Sequence, residues 1–410
     1  MIEDKGYEET ANKNRGEFTE NFITNKLTSV FGQKNIYKNV KISNSENKSK
    51  IVGEIDVLVF YAGRALVIQA KSKSLTLKSR KGCKLSLEKD FQDSIQTAYN
   101  QGKTCAEKLS DAESYRFFDS DNTELYITNN IQDINIMCVV SDDYSALPMH
   151  IEQFLEYDNK YPPYIVDVFI LDLIVTFLNE PLYFLNFIYY RTHTQYFQEV
   201  IPFSLSEFDV LYKYLKCGLS EAKEEKYDIV IIGEDRMSST LDNMMIEKYR
   251  KPSRTIEAIM AELKFEGMRT LFLGTFLEKT IDYINKSEND LALDFGFFLL
   301  DWDKALINLV KNEITIAMEK SVDNKKNYTL CLIYNNIGLA ICCNYNPTDK
   351  EYIYHYCNQA KYIYKLDQWF GCVFHDGLLE PVLKLDFPFL QSNEMDKQIQ
   401  QVKLVNNSSI

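Results

Sequence analysis

Two apolar runs, Val57–Phe60 and Ala65–Ala70, flank the tetrapeptide Tyr61-Ala62-Gly63-Arg64. Short runs rich in Val, Ile and Leu on either side of a Gly-bearing break predict a β-hairpin. With Ala62-Gly63 as the loop, Tyr61 faces Arg64. Counting back then sets Asp56 opposite Gln69 and Glu54 opposite Lys71. Side chains alternate faces along a strand, so Glu54, Asp56, Gln69 and Lys71 would share one face of an otherwise apolar hairpin. A three-residue loop with a bulge would shift that register by one residue.

The pattern on either side extends the picture. Phe18, Phe22, Ile23, Leu27, Val30 and Phe31 recur at helical spacing, with Glu17 in the first turn and Gly32 as a stop. Residues 1–14 are polar and read as frayed. Ile36–Ile42 reads as a strand. Phe91, Ile95, Ala98, Cys105, Ala106 and Leu109 keep a 3.6-residue period, which predicts a helix over Asp90–Leu109 with Gln92, Gln96 and Tyr99 as an adjacent polar stripe. Asn135–Ser141 is a further core strand, followed by Asp142-Asp143 at its end. Tyr164–Ile170 is another strand, and Leu171–Tyr190 a helix crossing Pro181. This succession predicts an α/β domain over residues 1–195.

After a connector at 192–203, residues 204–410 read as a second α/β domain. It has a helix capped by Ser206, a strand at Tyr227–Ile232 and a mostly helical stretch at 255–320. A hairpin crosses Asn335-Asn336, and Tyr352–Tyr356, Tyr362–Leu366 and Cys372–Phe374 read as short strands.

Charge changes this picture in one place. The chain has 410 residues and a formal net charge of −13, so any nucleic-acid binding must be local. Between Asp56 and Glu88 there is no acid, while Arg64, Lys71, Lys73, Lys78, Arg80, Lys81 and Lys84 all fall there. Such a segment supplies sequence-independent, salt-sensitive contacts to phosphates, or it is a solvated loop. Nine cysteines are scattered without a CxxC pair, which points to reduced thiols and a cytoplasmic setting. His355, Cys357, Cys372 and His375 are zinc-ligand types. They lack the paired spacing, and Cys is commonly a small buried hydrophobe. No apolar run reaches the roughly 18–20 residues of a membrane span, so no membrane partner is expected. No GxxxxGK[ST] loop marks an ATP motor.

Polar groups on a buried sheet are costly unless they are paired or bind something. Carboxylate and amide oxygens bind hard cations such as Mg²⁺, and a lysine beside them can hold a water or steady phosphate charge. The alternative is an edge hairpin whose Lys and Asp form a solvated pair. The pieces Gly16-Glu17, Gly53-Glu54-Ile55-Asp56 and Val67-Ile68-Gln69-Ala70-Lys71 resemble the PD-(D/E)xK nuclease superfamily, more closely its nuclease-related-domain and Mrr-like branches. The resemblance covers the first third to half of the chain. It implies a restriction-endonuclease-like fold, a central mixed sheet flanked by helices.

By the same resemblance, Asp56, Gln69, Lys71 and Glu17 are the catalytic set. Mg²⁺ or Mn²⁺ would be held by Asp56, the Gln69 side chain, the Ala70 carbonyl and Glu17. Gln69 stands where most members carry an acid; Mrr-like members also use QxK. Gln96 and Tyr99 resemble the Gln and Tyr of RecB-like nucleases, with QxxY in place of QxxxY. They join Lys73, Lys78, Arg80, Lys81 and Lys84 as expected nucleic-acid contacts. DNA is the implied substrate, with RNA left open, in restriction or anti-phage defence. Two other readings stay beside it. One is a nuclease-fold module that binds without cutting. The other is an effector gated by a separate NTPase or sensor protein. Self-association is also left open.

Overall fold

Residues Lys5–Phe31 form a single 27-residue helix, α1, in the computed structural model. The structure describes residues 5–45, 50–73, 75–127, 131–142, 155–193, 201–203, 206–219, 229–231, 237–343 and 350–396. α1 begins well before the apolar stripe that predicted it. Lys5–Asn14 is helical rather than frayed, and Glu17 lies in the middle of the helix, not in its first turn. Ile23, Leu27, Val30 and Phe31 are buried against the sheet, whereas Phe18 is 69% exposed. Gly32, at φ 77°, ends the helix in the left-handed region that glycine adopts without a Cβ penalty.

Strands β1 (Ile36–Asn44), β2 (Ile51–Tyr61) and β3 (Arg64–Lys71) follow as an antiparallel meander. Ala62 and Gly63 both take positive φ, as a two-residue primed turn requires. For Ala62 this costs about 1 kcal/mol, since only its Cβ opposes it. The turn fixes the two-residue-loop register, with Tyr61 opposite Arg64 and Val57 opposite Ile68.

Past β3 come the short helices α2 (Leu77–Arg80) and α3 (Lys84–Phe91). A π turn at Gln92–Gln96 leads into α4 (Thr97–Ser110). α4 crosses the sheet face and delivers strand β6 (Asp133–Val140) parallel to β3. With β4 (Tyr115–Phe118), β5 (Glu124–Leu125) and β7 (Pro163–Asp167), the sheet has seven strands in the order β5-β4-β1-β2-β3-β6-β7. It is mixed: β3, β6 and β7 run parallel, and the rest pair antiparallel. The α/β class expected for this half is therefore observed.

Two expectations give way here. The strand read to Ile170 ends at Asp167, whose carboxylate accepts the Phe169 and Ile170 N–H groups and so starts helix α5 (Val168–Phe177). The helix read across Pro181 is two helices, α5 and α6 (Pro181–His193). Proline has no N–H to give to a preceding turn but fits the first position of a new one.

The chain divides into two units, Met1–Glu266 and Gly267–Ile410, so the division falls after Glu266 and not at the connector read at 192–203. Side chains explain this. From helix α7 (Glu207–Cys217), capped by Ser206, Glu207 makes a two-pronged ion pair with the buried Arg191 of α6, at 2.8 and 2.9 Å. Tyr164 of β7 donates to the same carboxylate at 2.9 Å. α7 is thus sewn into the first unit. That unit also holds strands β8 (Ile201–Phe203) and β9 (Ile229–Ile231), paired in parallel, and helices α8 (Met237–Arg250) and α9 (Ile256–Glu262).

In the second unit, helices α10 (Met268–Leu271), α11 (Glu278–Ser287), α12 (Asp290–Leu300) and α13 (Lys304–Asn324) precede a four-stranded sheet. Strands β10 (Tyr328–Tyr334) and β11 (Ile337–Cys343) turn through Asn335-Asn336, both at positive φ. The tyrosine-rich stretch read as two strands is instead one helix, α14 (Lys350–Tyr364). It buries Ile353, Cys357 and Ala360 along one face. It connects β11 to the parallel strand β12 (Gln368–His375), and β13 (Leu378–Asp386) completes the sheet. A parallel pair needs such a crossover, which a hairpin of short strands could not supply. Among the described residues no helix is long and apolar enough to cross a membrane.

Candidate functional site

The β2–β3 ladder pairs residues as far as Val57 and Ile68. Beyond that pair, side chains take over from the backbone. Asp56 Oδ2 accepts the Ala70 N–H at 2.7 Å, and Gln69 Nε2 donates to the Glu54 carbonyl at 2.9 Å. The Cys105 thiol of α4 donates to the same carbonyl at 3.4 Å. α4 passes directly over this end of the hairpin because Gly102 has no side chain. A Cβ there would lie 2.8 Å from Ile136 Cγ2 and 3.5 Å from Gln69 Cγ. Beside it, Gln101 Oε1 accepts from Lys71 Nζ at 2.6 Å. The fold thus gathers Asp56, Gln69, Ala70 and Lys71 at one sheet end under α4. Glu54 contributes its backbone, and its side chain is exposed.

The electrostatics centre on Asp56. Burial pushes its carboxyl up to about 6, although the Ala70 N–H and the Lys71 charge favour the ionised form. The nearby Glu20 and Glu54 carboxylates add to the upward push. Gln69 is 1% exposed, and its Oε1 makes no hydrogen bond among the described residues. A desolvated carboxylate that enters no ion pair among the described residues, beside an amide oxygen, suits a hard, oxygen-seeking cation such as Mg²⁺ or Mn²⁺. No group of three His, Cys, Asp or Glu side chains converges among the described residues, so the donor set depends on the amide.

The helix acid is where sequence and structure part. Glu17 is exposed on α1 and its near partner is Lys13, at 3.9 Å. Gly16, next to it, faces the residue after β3: a Cβ there would sit 3.9 Å from Ser72 Oγ. The α1 acid whose charge acts on Asp56 is Glu20, which also pairs with Lys38 of β1 at 3.3 Å. Glu20 lies three residues after Glu17, on an adjacent part of the same helix face. That spacing was the signal available in the sequence. Gln101, the partner of Lys71, carried none, because helix α4 had to be docked before its polar residues could be assigned to the sheet.

The basic segment is less free than its sequence suggested. Lys73 pairs with Asp93 at 2.8 Å and approaches Asp90 at 3.6 Å; Arg80 pairs with Asp142 at 2.6 Å. Lys84 lies 3.7 Å from Glu88 on an exposed helix face. Folding brings in the acids that the local sequence lacked. Lys78 and Lys81 are exposed and enter no ion pair among the described residues. Asp142 also accepts the Leu75 N–H, so at the strand end it secures a loop, while Asp143 lies outside the described residues.

Gln96 and Tyr99 are buried, and their polar groups hold backbone. Gln96 accepts the Glu156 N–H at 2.9 Å and donates to the Glu156 carbonyl at 2.8 Å; Tyr99 Oη accepts the Asp158 N–H at 2.7 Å. In this arrangement they clamp residues 156–158 and do not present these groups to a phosphate. Of the four zinc-type residues, Cys357 and Cys372 are buried, His355 lies near Glu351 at 3.8 Å, and His375 meets Glu380 at 2.9 Å.

No protein-family model, no curated protein and no solved structure matches this chain.

Proposed function

We propose that the first unit is a metal-dependent nuclease of the PD-(D/E)xK type, restriction-endonuclease-like in fold, acting on phosphodiester bonds of DNA. The observation that carries this reading is the group at the open end of the β2–β3 hairpin. Asp56 is anchored by the Ala70 N–H, and Gln69 and Lys71 stand one and three residues beyond Ile68, the last β3 residue paired with β2. Asp56 and the Gln69 amide oxygen would hold the cation, with Glu20 of α1 reached through water. A bound Mg²⁺ or Mn²⁺ would supply charge neutralisation at the phosphate and a more acidic water. Lys71, whose Nζ donates to Gln101, would leave that partner to steady the attacking water or the phosphate oxygens. The raised affinity of Asp56 for its proton makes it the group that must ionise before a cation is held.

The test is cleavage of plasmid and linear DNA by the full chain in EDTA, Mg²⁺ and Mn²⁺, set against Asp56→Ala and Lys71→Ala. Metal-dependent cutting abolished by both substitutions supports the enzyme and its site together. Cutting that survives both removes the site assignment.

A second reading draws on Gln69, whose N–H is committed to Glu54 and whose neutral amide replaces an acid. A module so built would bind nucleic acid without cutting, or cut only when a partner protein such as an NTPase or sensor engages it. Salt-sensitive DNA binding without cleavage, or cleavage that appears only with a co-purified partner, favours that reading.

A further inference from the structure

Helices α2 and α3 form a tip that starts just beyond the candidate site. Leu77 lies six residues after Lys71, so the tip begins within about 20 Å of that lysine. Two leucines on it face water: Leu77 is 76% and Leu85 78% exposed. They are accompanied by the exposed Lys78, Lys81 and Lys84. In a chain of net charge −13, exposed leucines beside Lys78 and Lys81, which enter no ion pair among the described residues, call for a partner that is anionic and has an apolar recess.

Hydrogen bonds hold α2 and α3 to each other. Asp90, 3% exposed, accepts the Ser79 hydroxyl at 2.5 Å and the Thr76 N–H at 2.8 Å, which ties α2 to α3. α2 closes on Gly82 at φ 82°, with Gly82 N–H donating to Ser79 O and Cys83 N–H to Lys78 O. This is the paired closure that glycine makes at a helix end. Arg80 holds Asp142, Lys73 holds Asp93 and Lys84 lies 3.7 Å from Glu88, whereas Lys78 and Lys81 enter no ion pair among the described residues.

We propose that the α2–α3 tip is a wedge for duplex DNA: Lys78 and Lys81 hold the phosphate backbone, and Leu77 and Leu85 enter the minor groove and unstack a base step. Proteins that enter the minor groove insert such apolar side chains and kink the duplex, while flanking lysines supply salt-dependent grip. A membrane surface fits less well, because interfacial anchoring scales with the apolar area buried, and α2 and α3 offer two exposed leucines. The inference rests on the nuclease reading for its substrate class, and it adds the residues that engage the duplex and deform it.

The test measures binding, not cutting. The full chain in EDTA is titrated with an end-labelled DNA duplex over a range of salt, with Leu77→Gln/Leu85→Gln and Lys78→Gln/Lys81→Gln as variants. All four side chains are exposed, and a melt confirms that each variant is folded. The lysine pair is expected to lower the slope of log affinity against log salt by about 2. The leucine pair is expected to weaken binding about tenfold at unchanged slope and to abolish the duplex shortening seen by energy transfer between its ends. Three results overturn the wedge: a wild type that binds no duplex at low salt, variants that match the wild type, or Leu-dependent binding to phosphatidylserine vesicles with DNA affinity unchanged. Asp56-dependent cleavage alongside variants of wild-type affinity would remove the wedge and keep the nuclease. Tip-dependent bending by a chain that never cuts would keep the wedge and remove the nuclease.

Discussion

Asp56 Oδ2 lies 2.7 Å from the Ala70 amide nitrogen, so a side chain completes the strand pairing where the backbone ladder stops. The carboxylate is held in place by one N–H and is otherwise desolvated. Such a group stabilises the fold less than a neutral residue would, and this is expected at a site kept for a ligand.

The pH dependence of stability follows. The folded carboxyl is raised from 3.8 to about 6, so the folded state binds its proton more tightly than the unfolded state. Ionising Asp56 therefore costs folding stability. The cost is absent below the unfolded value and complete above about 6. Asp56→Asn, which can still accept from Ala70, should raise metal-free stability by about 1–3 kcal/mol at pH 7.5 and change little at pH 3.5. Thermal melts at the two pH values check this. Millimolar Mg²⁺ should raise the melting temperature of the wild type and leave that of the variant where it was.

Gln69→Glu separates the amide's two roles. It removes the N–H that meets the Glu54 carbonyl and puts a second carboxylate near Asp56. Metal-free stability should fall by about 1–3 kcal/mol. Added Mg²⁺ should then produce a larger upward shift in melting temperature than in the wild type. Equal shifts in both proteins would place the Gln69 oxygen outside the cation's reach.

Gln96→Ala should act on the fold. It strips partners from both the N–H and the carbonyl of Glu156. A loss of about 1–3 kcal/mol in denaturant unfolding is expected, with the salt slope of DNA binding unchanged. A reduced salt slope with normal stability would make Gln96 a phosphate contact instead.

A chain cut at residue 195 should not fold as residues 1–266 do. The cut leaves Arg191 buried without the Glu207 carboxylate that meets it at 2.8 and 2.9 Å. An orphaned charge of that kind costs about 3–5 kcal/mol. Residues 1–266 should melt cooperatively by circular dichroism, and residues 1–195 should not. Equal cooperativity in both would return the boundary to the connector.

The sequence by itself determined the hairpin, narrowed its register to two and named the polar residues near its open end. These depend on local rules: apolar runs, a turn that forces positive φ, and the strict alternation of strand side chains. The helix period located α1 and α4 for the same reason. The tertiary structure decided what crosses between elements. It made Glu20 rather than Glu17 the α1 acid acting on Asp56, and it gave Lys71 to Gln101. It turned Gln96 and Tyr99 inward to hold residues 156–158, and it neutralised Lys73 and Arg80 with Asp93 and Asp142. It also folded the tyrosine-rich stretch before β12 into a helix, since a parallel neighbour can be reached only by a crossover. Ion pairs and docked faces join residues far apart in the chain, and periodicity read along the chain carries no information about which of them meet.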